Sequence, residues 1–98
     1  TKLTTGIRSL LLMKLHDAVV RVLVYPPQAA YLQLHGVVIL VFSMTPAGAI
    51  ESLHVAKSSG YPLLDHAAVK ALQTVSPFKM ANHYLQKPVE LTLLIRFS

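Results

Sequence analysis

The sequence predicts an α+β domain, a small three-stranded antiparallel sheet packed by helices, and three observations carry that reading. Val37 to Met44 is a β-branched and aromatic run too short for an ordinary helix and bounded by Gly36 and Pro46, and Val89 to Ser98 alternates apolar with mostly polar residues. Thr5 to Val24 and Pro62 to Val75 instead repeat apolar residues at three- and four-residue steps. The resulting order, α-α-β-β-α-β, has no internal repeat and suits a single sheet layered against helices.

In the first segment Lys14, Asp17 and Arg21 lie opposite Leu11, Leu12, Leu15, Val19, Val22 and Leu23, the pattern of an amphipathic helix. Thr4 or Thr5 is the candidate N-cap, and the Pro26-Pro27 pair forces the residues before it out of helical geometry. Residues 1–24 are therefore a lead-in to the domain proper, 25–98. They are either a packing helix or a segment that orders only in a dimer. Gln28 to His35 spans about two helical turns, with Gly36 where a left-handed C-cap residue is needed.

Val37 to Met44 is apolar on both faces, so this strand is central or covered twice. Thr45-Pro46-Ala47-Gly48 supplies a proline for one turn dihedral and a glycine for a positive one, which predicts a hairpin into the strand of Ala49 to Ser58. There Leu53 and Val55 share a face while Ile50 falls on the other, so either a bulge intervenes or both faces are partly buried. Ser58-Ser59-Gly60-Tyr61-Pro62 opens the next helix, with Leu64, Ala68, Ala71, Leu72 and Val75 as its buried stripe and Asp65, His66, Lys70 and Gln73 toward water. A polar, proline-containing connection from Ser76 to Pro88 leads to the last strand. There Val89, Leu91, Leu93, Ile95 and Phe97 alternate with Glu90, Thr92, Leu94, Arg96 and Ser98. The helix after the hairpin crosses the sheet, and the first two strands pair antiparallel.

Composition bounds the function. With 53% hydrophobic and 13% charged residues the chain can offset its conformational entropy by burial, with apolar surface left over for a partner or a second copy. The net charge of +5 raises nucleic acid and anionic membrane as partners, but its nine Lys and Arg are scattered, with no basic run. No nucleic-acid partner is expected. The absence of cysteine excludes disulfides and thiolate chemistry. Ile7 to Val24, the longest apolar stretch, is broken by Arg8, Lys14, His16, Asp17 and Arg21 and is too polar to span a membrane. Because the first residue is Thr1 rather than Met, the chain is expected to be a piece of a longer protein whose targeting information lies elsewhere.

Catalytic and metal constellations do not form. The five histidines, His16, His35, His54, His66 and His83, fall in different elements with no i, i+4 pair and no acidic cluster, so no metal is expected. Ser58, Ser59, Asp65 and His66 offer the residue types of a hydrolase, but adjacent Asp65 and His66 point to different sides of a helix. They read as cap serines and a first-turn acid favoured by the helix dipole. Four dispersed glycines build no phosphate loop, and the aromatics are too spread for a base-stacking platform. Neither an enzyme nor a cofactor is expected. An interaction module remains, in which the final strand exposes unpaired backbone groups that a partner strand can use.

Tyr25-Pro26, Ala29 or Ala30, Gly36-Val37, Pro46-Ala47-Gly48, Ser58-Ser59-Gly60, Leu64-Asp65, Ala67-Ala68 and Pro77-Phe78, in that order and spacing, resemble the TonB C-terminal domain family. The resemblance runs from about Tyr25 to Ser98, and Ser-Ser-Gly followed by Leu-Asp-x-Ala-Ala is its most specific part. It implies a bacterial inner-membrane energy transducer with an N-terminal membrane helix, a Pro-rich spacer and this domain in the periplasm. The anchor would work with ExbB and ExbD, which tap the proton gradient. The domain would bind the TonB box of outer-membrane receptors for siderophore, haem or cobalamin, the box adding as a strand to the domain's last strand.

Carried onto this chain, the resemblance places partner binding on Val89 to Phe97, with Glu90, Leu91, Thr92, Leu93, Leu94, Ile95 and Arg96 in the docking strand. Backbone groups would give affinity, and outward side chains such as Thr92, Leu94 and Arg96 would tune selectivity. Tyr25 and Pro26 would form a second contact region. Many family members carry Gln-Pro ahead of x-Tyr-Pro, whereas this chain has Val22-Leu23-Val24, so this stretch is expected to pack as helix. A homodimer, including a swapped one, fits an exposed edge strand. The competing readings are a TolA-like or other periplasmic adaptor and a small basic nucleic-acid-binding domain.

Overall fold

A computed structural model describes residues 2–97, with side chains from residue 8. Its elements are α1 (Lys2–Val22), α2 (Pro27–Tyr31), β1 (Gly36–Met44), β2 (Ile50–Lys57), α3 (Pro62–Thr74) and β3 (Val89–Phe97), with a 3₁₀ segment at Lys79–His83. The α+β architecture is the expected one: three strands in one antiparallel sheet, in the order β2-β1-β3. β1 is therefore central, which accounts for its apolar residues on both faces.

The sheet is asymmetric in its regularity. β1 and β3 pair without interruption from Gly36 opposite Phe97 to Met44 opposite Val89. β1 and β2 shift register between Ile39 and Leu40 and again between Val41 and Ser43. Ser52 takes a positive φ of 55°, uncommon for a side chain with a Cβ. The phase change in β2 is thus a bulge, and the strand is mostly exposed besides.

One face of the sheet makes the core. Val38, Leu40, Phe42 and Met44 of β1 and Leu91, Leu93, Ile95 and Phe97 of β3 alternate inward and are all buried. They form one cluster with Leu11, Leu15 and Val19 of α1 and Leu64, Ala68, Ala71 and Leu72 of α3. At about 1.5–3 kcal/mol for each large side chain fully buried, this cluster is the main source of stability. The lead-in helix is thereby packed on the sheet. The outline is elongated, 43 × 22 × 21 Å.

Local departures have local causes. Thr4 and Thr5 lie inside α1, which starts at Lys2, so neither is its cap. Leu23 and Val24 fall after the helix end, ahead of Tyr25-Pro26, where the residue before proline avoids helical dihedrals. α2 stops at Tyr31, short of the expected His35, because Gln33 itself turns left-handed at φ 55° and Gly36 is instead the first residue of β1. In the hairpin turn the Gly48 N–H donates to the Thr45 carbonyl at 2.8 Å, with Gly48 at φ 87°. A Cβ there would sit 2.0 Å from the Phe78 carbonyl oxygen, so the turn lies directly on the connection that leads to β3.

Candidate partner-docking edge

β3 is the candidate docking edge because it is paired on one side only. Its nine residues hydrogen bond to β1 and nothing else described joins the sheet beyond it. In an edge strand, alternate N–H and C=O groups point outward with no ladder partner, a template for an added strand. β2 is the other edge, but its two register shifts break the repeat that a partner must follow. β3 has no such break.

The candidate residues divide into two sets. Leu91, Leu93 and Ile95 are buried in the core, so only their backbone is available to a partner. Glu90, Thr92, Leu94 and Arg96 are exposed on the face away from the helices, Leu94 by 45%. Across β1 they stand opposite Ser43, Val41, Ile39 and Val37 respectively.

Of the two upstream candidates, Tyr25 meets β3 at its Phe97 end. The Tyr25 ring meets the Phe97 ring edge-on, and its hydroxyl donates to the Leu34 carbonyl, so the half-buried side chain is a wedge between the helical lead-in and the end of β3. Pro26 is half-buried as the N-cap residue of α2. It also lines a mostly apolar cavity of about 330 Å³ with Val22, Val24, Leu63, Ala67 and Lys70. Sequence reasoning missed this cavity, since it forms where the end of α1 meets α3 and no local pattern encodes that meeting. Tyr25 lies against Phe97, at the far end of β3 from Glu90.

The serine-rich loop before α3 serves structure. Ser59 donates to Asp65 Oδ1 from its N–H at 2.9 Å and from its Oγ at 2.7 Å, and Ser58 Oγ donates to Asp65 Oδ2. Asp65 was expected to face water; it is instead held half-buried by the loop that folds back over it. Burial raises its pKa, but the bonds from Ser58 Oγ, Ser59 N–H and Ser59 Oγ outweigh that and hold it below the ordinary carboxylate value. Among the described residues no histidine joins this network, no group of His, Asp and Glu converges on a metal position, and no helix is long and apolar enough to cross a membrane.

Residues 21–98 match the family model described as Gram-negative bacterial TonB protein C-terminal. Among solved structures the chain is similar to two NMR solution structures of the Helicobacter pylori TonB C-terminal domain. One superposes with a TM-score of 0.77 at 26% identity, covering 89% of this chain and 78% of that one. The other gives 0.68 at 28% identity, covering 89% and 91%. The structure of the HasB C-terminal domain is similar with a TM-score of 0.51 at 30% identity, covering 88% of this chain and 67% of that one. No curated protein matches the sequence.

Proposed function

The chain belongs to the Gram-negative bacterial TonB protein C-terminal family, and from that premise we propose that it grips outer-membrane receptors by adding their TonB-box peptide as a fourth strand along the outer edge of β3. The observation that carries this reading is the contrast between the two sheet edges: β3 continues an unbroken register with β1, while β2 shifts register against it twice. Backbone pairing supplies affinity, and Glu90, Thr92, Leu94 and Arg96 meet the side chains of the added strand and tune which box is held. Tyr25 and Pro26 bring a second contact region to the Phe97 end of the same edge.

The domain's task is mechanical and needs no catalytic group. An inner-membrane anchor working with ExbB and ExbD draws on the proton gradient, and this domain, in the periplasm, passes the work to a receptor for siderophore, haem or cobalamin. A strand added along β3 and pulled along its own direction loads its hydrogen bonds together in shear. Such a joint holds until many bonds fail at once.

An NMR titration of the labelled chain with a synthetic TonB-box peptide and a scrambled control tests the reading. Saturable amide shifts from Val89 to Phe97 with the box peptide alone are the expected result. Shifts centred on Ile50 to Lys57, or none with the fold intact, would sink it.

A further inference from the structure

The sheet face turned away from the helices has a charge order of its own. Opposite residues on neighbouring antiparallel strands project on the same side, so the register fixes this face row by row. At the hairpin end Ser43 is flanked by Glu51 on β2 and Glu90 on β3. At the other end Ile39 stands beside Lys57, and Val37 beside Arg96. Both acids and both bases are exposed. Beside and between them lie half-buried Val37, Ile39 and Val41, which are outside the hydrophobic core cluster, with exposed Leu94 beside Ile39 and exposed His54 and Thr92 flanking Val41. The face is an apolar stripe, acidic at one end and basic at the other.

We propose that this face binds a second copy of the chain, the two sheets stacked face to face about a two-fold axis that lies between them and across the strands. Such an axis reverses strand direction but keeps β3 over the second copy's β3. Glu90 then lies over the second copy's Arg96, and Arg96 over its Glu90. On β2, Lys57 lies over the second copy's His54, and Glu51 lies one row beyond the second copy's Lys57, within reach of its ammonium. The crossing point falls at the level of Leu93, midway between Glu90 and Arg96, so Val41 meets Ile39 and Thr92 meets Leu94 at the centre. The other in-plane axis, along the strands, sets acid over acid and base over base. Self-complementarity of this kind selects a two-fold partner identical to the chain itself.

The expected strength follows from the area. A nine-residue strand rising about 3.3 Å per residue, in a sheet of three strands about 4.8 Å apart, presents roughly 400 Å² per copy. The total is at the low end for protein interfaces, so the pair is transient and forms at high concentration. Stacking leaves the outer edge of β3 unpaired. Peptide docking uses the backbone edge of β3 and self-association uses the sheet face; the two share the Glu90, Thr92, Leu94 and Arg96 side chains, so Lys57→Glu, which lies off β3, is the variant that should weaken association alone.

Sedimentation velocity of the full chain, from micromolar to millimolar concentration, tests the proposal. The expected result is a mass rising from 10.7 kDa toward twice that value, less steeply at high salt. Glu90→Arg and Arg96→Glu should each weaken association about tenfold, because each breaks two symmetric pairs. An equimolar mixture of the two variants, and the double variant, should restore it. Lys57→Glu should also weaken it, which separates stacking from antiparallel β3-to-β3 edge pairing, where Lys57 is remote. All three substituted residues are exposed, and circular dichroism of each variant checks the fold. A monomer throughout the range, no restoration on mixing, or a dimer indifferent to Lys57→Glu would overturn the proposal.

Discussion

The Tyr25 ring stands edge-on to the Phe97 ring, with centroids 5.8 Å apart and planes at 82°, and so ties the segment after α1 to the last residue of β3. Its hydroxyl, bonded to the Leu34 carbonyl, fixes the connection between α2 and β1 as well. Tyr25→Phe keeps the ring contact and loses one hydrogen bond, a cost of about 1 kcal/mol. Tyr25→Ala loses both and should cost about 3 kcal/mol or more. Urea unfolding of the two variants measures the difference, and equal losses would mean that the ring contact contributes nothing.

Neighbours on β3 should respond oppositely. Leu93 is 3% exposed and Leu94 45%. Leu93→Ala leaves a core cavity at about 2–5 kcal/mol, while Leu94→Ala should stay within about 1 kcal/mol of the parent. Peptide titration should rank them the other way among folded variants, with Leu94→Ala changing box affinity.

Gly48 and Gly60 share a positive φ, 87° and 92°, but differ in surroundings. A Cβ on Gly60 meets nothing within 4 Å, whereas one on Gly48 collides with Phe78 backbone. Gly60→Ala should cost about 1 kcal/mol, from left-handed backbone alone. Gly48→Ala should cost well beyond that, because the turn must lift off the connection. Thermal unfolding of the pair reports the gap directly.

Asp65 makes stability depend on pH. Its folded pKa lies below the ordinary value of 3.8, so the folded state binds that proton less tightly than the unfolded chain does. The contribution is complete above the unfolded-state pKa and is lost as pH falls through the ordinary carboxylate range to below the folded value. Asp65→Asn should cost about 1–2 kcal/mol at neutral pH. Denaturation curves of variant and parent should converge as the solution is acidified, and a constant offset would contradict the assignment.

Much of this architecture is legible in the residues, and the gaps have physical reasons. β3 shows because one buried face leaves strict alternation, and β1 is readable as central because both of its faces are apolar. A bulge and two-sided burial leave the same letters in β2, so only the register of Val41 opposite His54 and Ser43 opposite Glu51 decides between them. The end of α2 was misplaced because Gln33, not a glycine, takes the left-handed position. The 3₁₀ segment at Lys79–His83 is too short to show a period. The candidate edge was legible as a strand, and Tyr25 as a conspicuous residue. That the two meet, that Asp65 is clasped by its loop, and that charges sort to opposite ends of the open face are products of topology.

The seat of the hairpin turn on the connection to β3 bears on how the molecule comes apart. The Phe78 N–H donates to the Gly48 carbonyl at 2.8 Å, and the Ile50 N–H reaches Ser76 Oγ at 3.3 Å, joining segments far apart along the chain. The β1–β2 hairpin therefore cannot loosen as an independent subunit while the C-terminal segment stays docked. Both belong to one cooperative unit, and the Phe78 amide should exchange with solvent only when that unit opens. A tug on β3 is resisted by the turn seated beside its first residues, so strain entering at the edge spreads through the whole sheet before any strand is released.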